Sequence, residues 1–474
     1  MTAADNNKYQ GKRKKHNLNP DFPVQKGQAI ELEITGLGSN GEGVGRFKEV
    51  AVFVPGALPG ETVKVSADFV KKNFVNAKLL EILKASPDRI KPLCSVYEAC
   101  GGCQLQHLSY EAELLEKQKQ VEAALERIGH LSDIKVLPVI ASESPFRYRN
   151  KMQFPVTGTC GKLQIGCFAL NTHRVIDVTD CCIQKQKNNE IAAVVRQWMK
   201  QFRITAYDED TRTGIVRHIM GRVGVHTGEI MVCLVTAQEN VPHLKELVKM
   251  LKAAIPGVKS VVQNVNRRST NVILGEKTRL IAGSLTIKDK IGPLKFNISA
   301  QSFFQVNSEQ AEKLYNTALA FAELSGRETV VDLYCGTGTI TLFMAQKAKQ
   351  VLGIEIVPSA IRDAKKNATA NHIRNAEFLL GDAAVEMPKL VAEGLRPDVV
   401  ILDPPRAGCE ERVLLSIAKV KPERVVYVSC NPATLARDLA YLHERGFRIK
   451  KVQPCDMFSR THHVECVAQL VRAE

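Results

Sequence analysis

Two short runs in this chain place reactive side chains at the ends of strand-like segments. RVVYVSCNPAT is an apolar, β-branched stretch leading to Cys430, with Asn431 and Pro432 next; VVILDPPRAG leads in the same way to Asp403. Open α/β sheets bind ligands beyond the carboxyl ends of their strands, so a thiol there reads as a nucleophile rather than an ordinary buried cysteine. A covalent nucleophile of this kind needs a base later in the cycle. RTHHVECVAQL, near the end of the chain, offers Glu465, with His462 and His463 as competitors. Its strand-like segment can return beside the strand that carries Cys430.

A second constellation looks like a cofactor site. In VVDLYCGTGTI an apolar strand runs to Asp332 and Tyr334, and Gly336 and Gly338 then turn the backbone tightly into a helix. Glu355 ends the next strand, about twenty residues on, where a carboxylate can accept hydrogen bonds from a ribose diol. The loop is G-x-G rather than G-x-G-x-x-G, and Asp332 is placed to meet a cationic aminoacyl group instead of a pyrophosphate. Asp382, after the third strand, is expected near an adenine. The Asp-Pro-Pro step at Asp403 is like the D/N-P-P-aromatic turn that binds exocyclic amines, but its fourth position here is Arg406. No aromatic platform for an amine-bearing base is present.

These groups need a scaffold, and the pattern supplies one. From about Phe296 the chain alternates strand and helix (ETVVDLY, TLFMAQKAKQ, VLGIEI, SAIRDAKKNATA, AEFLLGD, PDVVILD, RVVYVSC, ATLARDLAYLHERG), which predicts an α/β, doubly wound parallel sheet over residues 293–474. Residues 87–292 mix helical stretches (SYEAELLEKQKQVEAALERIG, NNEIAAVVRQWMKQF, VPHLKELVKMLKAAI) with strand-like ones (GEIMVCLVTA, VKSVVQNVN), an α+β domain. Residues 23–86 are short alternating runs broken by glycine and proline, a small β-barrel. Its face interleaves Lys64, Lys71, Lys72 and Lys78 with Phe69 and Phe74, a mixture suited to phosphate contact and base stacking. Residues 1–22, with Lys12, Arg13, Lys14 and Lys15 and little to bury, read as a flexible basic tail.

Lys and Arg outnumber Asp and Glu by 65 to 50, a formal charge of +15, which favours a polyanionic partner. No apolar run approaches the roughly 18 residues of a membrane span, and no apolar leader follows the basic start, so a cytoplasmic protein without a membrane partner is expected. Thirteen cysteines in such a setting point to chemistry, metal or packing instead of disulfides.

Taken in order, SFFQVN around Gln305, DLYCGTG around Tyr334, Glu355, LDPPRAG around Asp403, YVSCNPATLARD around Cys430 and THHVEC around Glu465 resemble the uridine-5 RNA methyltransferases, and within them the bacterial 23S ribosomal RNA branch. The resemblance spans nearly the whole chain. It implies a class I Rossmann-like methyltransferase domain, a central α+β domain carrying an iron-sulfur cluster, and an OB-like TRAM barrel that binds RNA. It also implies S-adenosyl-L-methionine held by Gln305, Tyr334, Glu355 and Asp403, with Cys430 as nucleophile and Glu465 as proton acceptor. The chemistry agrees: carbon 5 of uracil becomes nucleophilic only after a thiolate adds to carbon 6, and a base must later remove the carbon 5 proton. The implied partner is 23S rRNA or its assembling precursor, met by a monomer. Alternatives are a tRNA uridine-5-methyltransferase, whose branch typically lacks the barrel and the cysteines, and a non-catalytic RNA-binding assembly factor.

The same resemblance covers PLCSVYEACGGCQ, where Cys94, Cys100 and Cys103 stand as C-x5-C-x2-C, and HRVIDVTDCCIQ, where Cys181 matches a fourth ligand of a 4Fe-4S cluster. Four thiolates suit zinc as well. Cys182 follows directly, so either neighbour could ligate. The remaining cysteines, Cys160 and Cys167 among them, are read as packing.

Overall fold

The computed structural model describes residues 23–159 and 161–473. The basic tail over 1–22 and the spare Cys160 lie outside these residues. The described residues divide into two compact units, with the boundary between 89 and 90.

The first is a closed barrel of five strands, Ala29–Leu37, Gly43–Phe47, Val50–Val54, Thr62–Val70 and Phe74–Lys84, paired in the order first, second, third, fifth, fourth. Strict alternation closes it. Ile30, Leu32, Ile34, Val63, Val65 and Ala67 point inward and are buried, while the residues between them meet solvent or the rim. Gly45 lies opposite Ile34, and a Cβ there would sit 2.2 Å from the Glu33 carbonyl oxygen, so this crossing admits only glycine.

The second unit holds two seven-stranded sheets and a hairpin. One sheet orders its strands Lys277–Gly283, Val258–Val265, Ile230–Thr236, Val216–Val223, Lys151–Thr157, Gln164–Phe168 and Val175–Asp177. Helices Gln186–Gln201 and Leu244–Ala254 cover one face of it, where Trp198, Leu247 and Leu251 pack on Phe154, Ile219 and Val232. Its other face does not form a core of its own. Met220, Met231, Cys233 and Val235 join one hydrophobic core with Phe296, Leu314, Phe343 and Val426, so the hydrophobic interior runs across the 292/293 boundary expected from composition.

The other sheet orders its strands Ala376–Leu380, Gln350–Glu355, Thr329–Leu333, Val399–Leu402, Arg424–Ser429, Glu465–Arg472 and Phe447–Cys455. The first five are parallel; Glu465–Arg472 runs antiparallel to both its neighbours, so the sheet is mixed where a parallel one was expected. Alternate residues feed two cores, Val330, Ile401 and Val426 on one face and Val331, Val400 and Val425 on the other, as a doubly wound sheet requires. Helix Tyr110–Arg127, read from sequence as part of the central domain, lays Val121 and Leu125 into the second of these cores. Chain order reverses on either side of Thr329–Leu333, which sets the ligand crevice at that strand's carboxyl end. Among the described residues no helix is long and apolar enough to cross a membrane.

Candidate active site

The crevice begins at a strained turn. Tyr334, Gly336 and Gly338 all have left-handed backbones, φ 66°, 56° and 80°, and a Cβ on Gly338 would press Ala364 and Phe378 at 3.0 Å. Asp332, fully buried beneath this turn, accepts one hydrogen bond from Thr341 Oγ1 at 2.5 Å; its other oxygen, Oδ1, reaches no partner among the described residues. Burial, reinforced by Asp403 and Glu355, pushes its carboxyl up to about 7. Glu355 ends its strand and accepts from the backbone N–H of Gly336 at 3.0 Å and of Val357 at 2.8 Å, so it ties the glycine turn to the following helix. Asp382 caps helix Ala383–Ala392 by accepting from Ala384 N at 2.9 Å.

Gln305 lies on the segment that precedes helix Ser308–Ala322, and this segment hangs from the central sheet. Asn150 Nδ2 donates to the Gln305 carbonyl at 3.0 Å and Asn150 N to that of Val306 at 2.7 Å; Arg222 Nη2 donates to the Ser302 carbonyl at 2.5 Å. Sequence reasoning missed both anchors. They stand far from Gln305 in the chain and carry no local signature.

Asp403 follows its strand directly, and burial raises its carboxyl to about 7. Cys430 and Glu465 come together through sheet register. Ser429 pairs with Cys466 across antiparallel strands, and one step further along each strand stand Cys430 and Glu465. The local sequence explains why the thiol sits at that edge: Asn431 Oδ1 accepts from Ala433 N at 3.0 Å and Pro432 opens the helix, so the chain turns away immediately after Cys430. Burial, then the negative charges of Glu465 and Asp403, push the thiol up to about 11, with Arg406 opposing them. Burial and Asp403 raise Glu465 to about 8, again against Arg406. The competing histidines are otherwise engaged. His463 Nε2 lies 3.3 Å from Arg406 Nη2, and burial with neighbouring positive charge drives its pKa down to about 3; His462 Nδ1 lies 3.1 Å from Gln104 Oε1.

A buried ionic cluster, invisible in the sequence, fixes the run that leads to Glu465. Lys117 Nζ donates to Glu113 Oε1 at 2.8 Å and to Asp456 Oδ1 at 2.6 Å, Tyr110 Oη donates to Asp456 Oδ2 at 2.6 Å, and Arg460 N donates to Glu113 Oε1 at 2.7 Å. Helix Tyr110–Arg127 thereby grips residues 456–460.

Cys94, Cys100, Cys103 and Cys181 line one cavity of about 490 Å³ with Cys167 and Cys182. Four of the thiols are engaged in two pairs. A hydrogen bond from Cys182 lowers Cys94 to about 6, and one from Cys167 lowers Cys100 to about 7, whereas burial raises Cys103 to about 12 and also raises Cys181. Among the described residues no group of three or more His, Cys, Asp or Glu is arranged to hold a metal ion. The four expected ligands thus share a chamber without converging on a point, and Cys167, read as a packing residue, belongs to the same set. Soft thiols in this number fit an iron-sulfur group in donor chemistry.

On the barrel, Phe69 is 52% exposed, and Lys71 Nζ lies 5.5 Å from its ring centroid and 5.2 Å from that of Phe74. Phe69, Lys71 and Phe74 of the aromatic-basic face read from the sequence thus lie together.

Comparison with known proteins supplies further findings. The family model described as tRNA (Uracil-5-)-methyltransferase matches residues 109–473, and the TRAM domain model matches 23–80. A protein described as an RNA methyltransferase from Halalkalibacterium halodurans is 50% identical over 94% of this chain and 98% of its own length; one from Clostridium acetobutylicum is 48% identical over 96% and 99%. The crystal structure of Pyrococcus abyssi tRNA (uracil-54, C5)-methyltransferase in complex with S-adenosyl-L-homocysteine superposes with a TM-score of 0.74 at 28% identity, covering 93% of this chain and 100% of that one.

Proposed function

The chain is a TRAM-bearing member of the tRNA (uracil-5-)-methyltransferase family, and on that premise we propose that it methylates carbon 5 of a uridine in RNA through a covalent adduct on Cys430. The observation that carries this reading is the register that sets Cys430 beside Glu465 at the edge of a crevice lined with buried acids.

S-Adenosylmethionine, when bound, supplies an electrophilic methyl group on a sulfonium. The crevice fits such a cation: Asp332 keeps an unpartnered oxygen in the interior, and burial raises both Asp332 and Asp403, a cost that a bound positive charge would offset. Gln305, Tyr334, Glu355, Asp403 and Asp382 would hold it, and Gly336 and Gly338 would let it approach the backbone closely. Cys430 as thiolate forms a bond to carbon 6 of the uracil, and the electron pair of the 5,6 double bond moves to carbon 5. Carbon 5 then takes the methyl group. Glu465 accepts the carbon 5 proton, the double bond re-forms, and the carbon–sulfur bond breaks to return the thiolate. RNA substituted with 5-fluorouridine therefore traps a denaturation-stable adduct, because fluorine cannot leave as a proton. A Cys430→Ala protein that still methylates RNA overturns the reading.

For the substrate, 23S rRNA is the first reading, supported by the cysteine set. Transfer RNA is the second, and a specific finding favours it: the Pyrococcus abyssi match covers 93% of this chain, too much to omit the barrel, so domain make-up does not separate the two. Mapping 5-methyluridine by mass spectrometry in both RNAs from a strain lacking the protein decides between them. A 4Fe-4S cluster on Cys94, Cys100, Cys103 and Cys181, with Cys182 as the competing fourth ligand, would organise the loops around the chamber; methyl transfer draws no electrons from it.

A further inference from the structure

The covalent step proposed above needs Cys430 as a thiolate, yet the immediate surroundings oppose one. Glu465 and Cys466 face it from strand Glu465–Arg472, and Asp403 faces it from the loop after Val399–Leu402. Every one of these is neutral or negative. Arg406, in that same loop, is the cation that opposes them at both Cys430 and Glu465.

Arg406 is not a loose surface arginine. Its carbonyl accepts from Asn431 Nδ2 at 3.1 Å and from Thr434 Oγ1 at 3.3 Å, both in the turn that directly follows Cys430. Arg437 Nη2, one turn further into that helix, donates to the neighbouring Ala407 carbonyl at 3.0 Å. The loop is thereby sewn to the nucleophile's own turn and keeps a set distance from it. Outward travel of the guanidinium is limited by His463, two residues before Glu465, whose Nε2 lies 3.3 Å from Nη2. The His463 ring meets that of His462 at a tilt, centroids 4.0 Å apart, and that of Phe458 edge-on at 5.9 Å, so the acceptor is itself braced. An uncharged imidazole that accepts at Nε2 carries its proton on Nδ1. Among the described residues Arg406 forms no salt bridge, which leaves its charge available to the site.

We propose that Arg406 is the positioned counter-charge that holds Cys430 in reach of its thiolate form, and that uncharged His463 is the prop that aims it. This rests on Cys430 being the nucleophile, and its test is separable because it needs no RNA. The rate of alkylation of Cys430 by iodoacetamide is followed against pH by peptide-resolved mass spectrometry, which distinguishes this thiol from the other twelve. One unit charge at this range shifts a half-buried thiol by about one pH unit, so Arg406→Gln slows Cys430 alkylation about tenfold at a given pH below the midpoint. Arg406→Lys keeps most of the rate. His463→Gln, which retains an acceptor, leaves the profile near wild type, while His463→Leu moves it part of the way towards Arg406→Gln. Unchanged circular dichroism and melting establish that these proteins are folded. Superposable profiles for Arg406→Gln and wild type overturn the proposal, as does a loss in Arg406→Lys equal to that in Arg406→Gln. If Cys430→Ala retains methylation, the functional reading falls, and the alkylation profiles still decide what Arg406 does to the thiol.

Discussion

Cys430 and the six cysteines of the chamber belong to one chain but are placed by different means. Cys430 ends a strand, and its partner Glu465 stands on the neighbouring strand one step beyond a Ser429–Cys466 pair. Ladder hydrogen bonds therefore set the separation of nucleophile and base, and register in a buried sheet does not slip without turning every side chain to the wrong face. Cys94, Cys100 and Cys103 lie outside regular elements, and Cys167, on strand Gln164–Phe168, and Cys181 and Cys182, in the loop after Val175–Asp177, come from another part of the chain. No ladder holds these groups together. Four of them form two thiol pairs instead, Cys94 with Cys182 and Cys100 with Cys167, and each pair lowers one member and raises the other. A site made of backbone register has its geometry set by the ladder, whereas one made of loop thiols has no ladder to set it.

Breaking the register-built site gives the largest effect expected. Glu465→Gln keeps Cys430 and the methyl acceptor but removes the base, so turnover falls by about 10² to 10⁴ and a methylated, denaturation-stable adduct accumulates on ordinary RNA. Gel mobility after denaturation reads this directly. Fast turnover without an adduct would transfer the role of base elsewhere and dissolve the pairing with Cys430.

The loop-built site predicts a milder and different outcome. Cys94→Ser, Cys100→Ser and Cys103→Ser each lose the visible absorbance and iron of anaerobically purified protein, and of Cys181→Ser and Cys182→Ser only one does so. Cys430 chemistry, judged by the fluorouridine adduct, survives in proportion to folded protein. Iron retained in all five variants removes the cluster from the reading.

The smallest effect is one of pH. Glu465 is raised to about 8 and acts only when ionised, so below that value its active fraction falls with falling pH. At pH 7 roughly a tenth is ionised, and because Cys430, pushed up to about 11, gains thiolate over the same range, activity climbs at least about tenfold between pH 6 and 7 and goes on rising above 8. Asp332 and Asp403, raised to about 7, add a parallel loss of cofactor affinity on the acid side, since their charge is what attracts a sulfonium. A flat profile from pH 6 to 9 contradicts the assignment of Glu465. Calorimetric titration with S-adenosylmethionine separates the two contributions.

Most of the crevice was legible because its signals are local. Tyr334, Gly336 and Gly338 announce a turn that needs left-handed backbone, Glu355 ends a recognisable strand, and Asn431-Pro432 is a helix start printed next to the thiol. Less legible were the antiparallel hairpin that closes the sheet, the packing of helix Tyr110–Arg127 on it, and the uncertain edges of the central region. Each depends on which apolar face meets which, and an amphipathic stripe states that a face is buried without stating against what.

By itself the sequence determined the inventory: barrel, central region and doubly wound sheet, a thiol and acids at strand ends, and a basic surface, all written in residue type and period. Only the tertiary structure decided the adjacencies. Asn150 and Arg222 suspend the Gln305 segment, Lys117 anchors the run leading to Glu465, and Asn431 sews Arg406 to the turn of Cys430. These contacts join residues 25 to 339 positions apart, and no period or spacing along a chain encodes a pair that only folding brings within 3 Å.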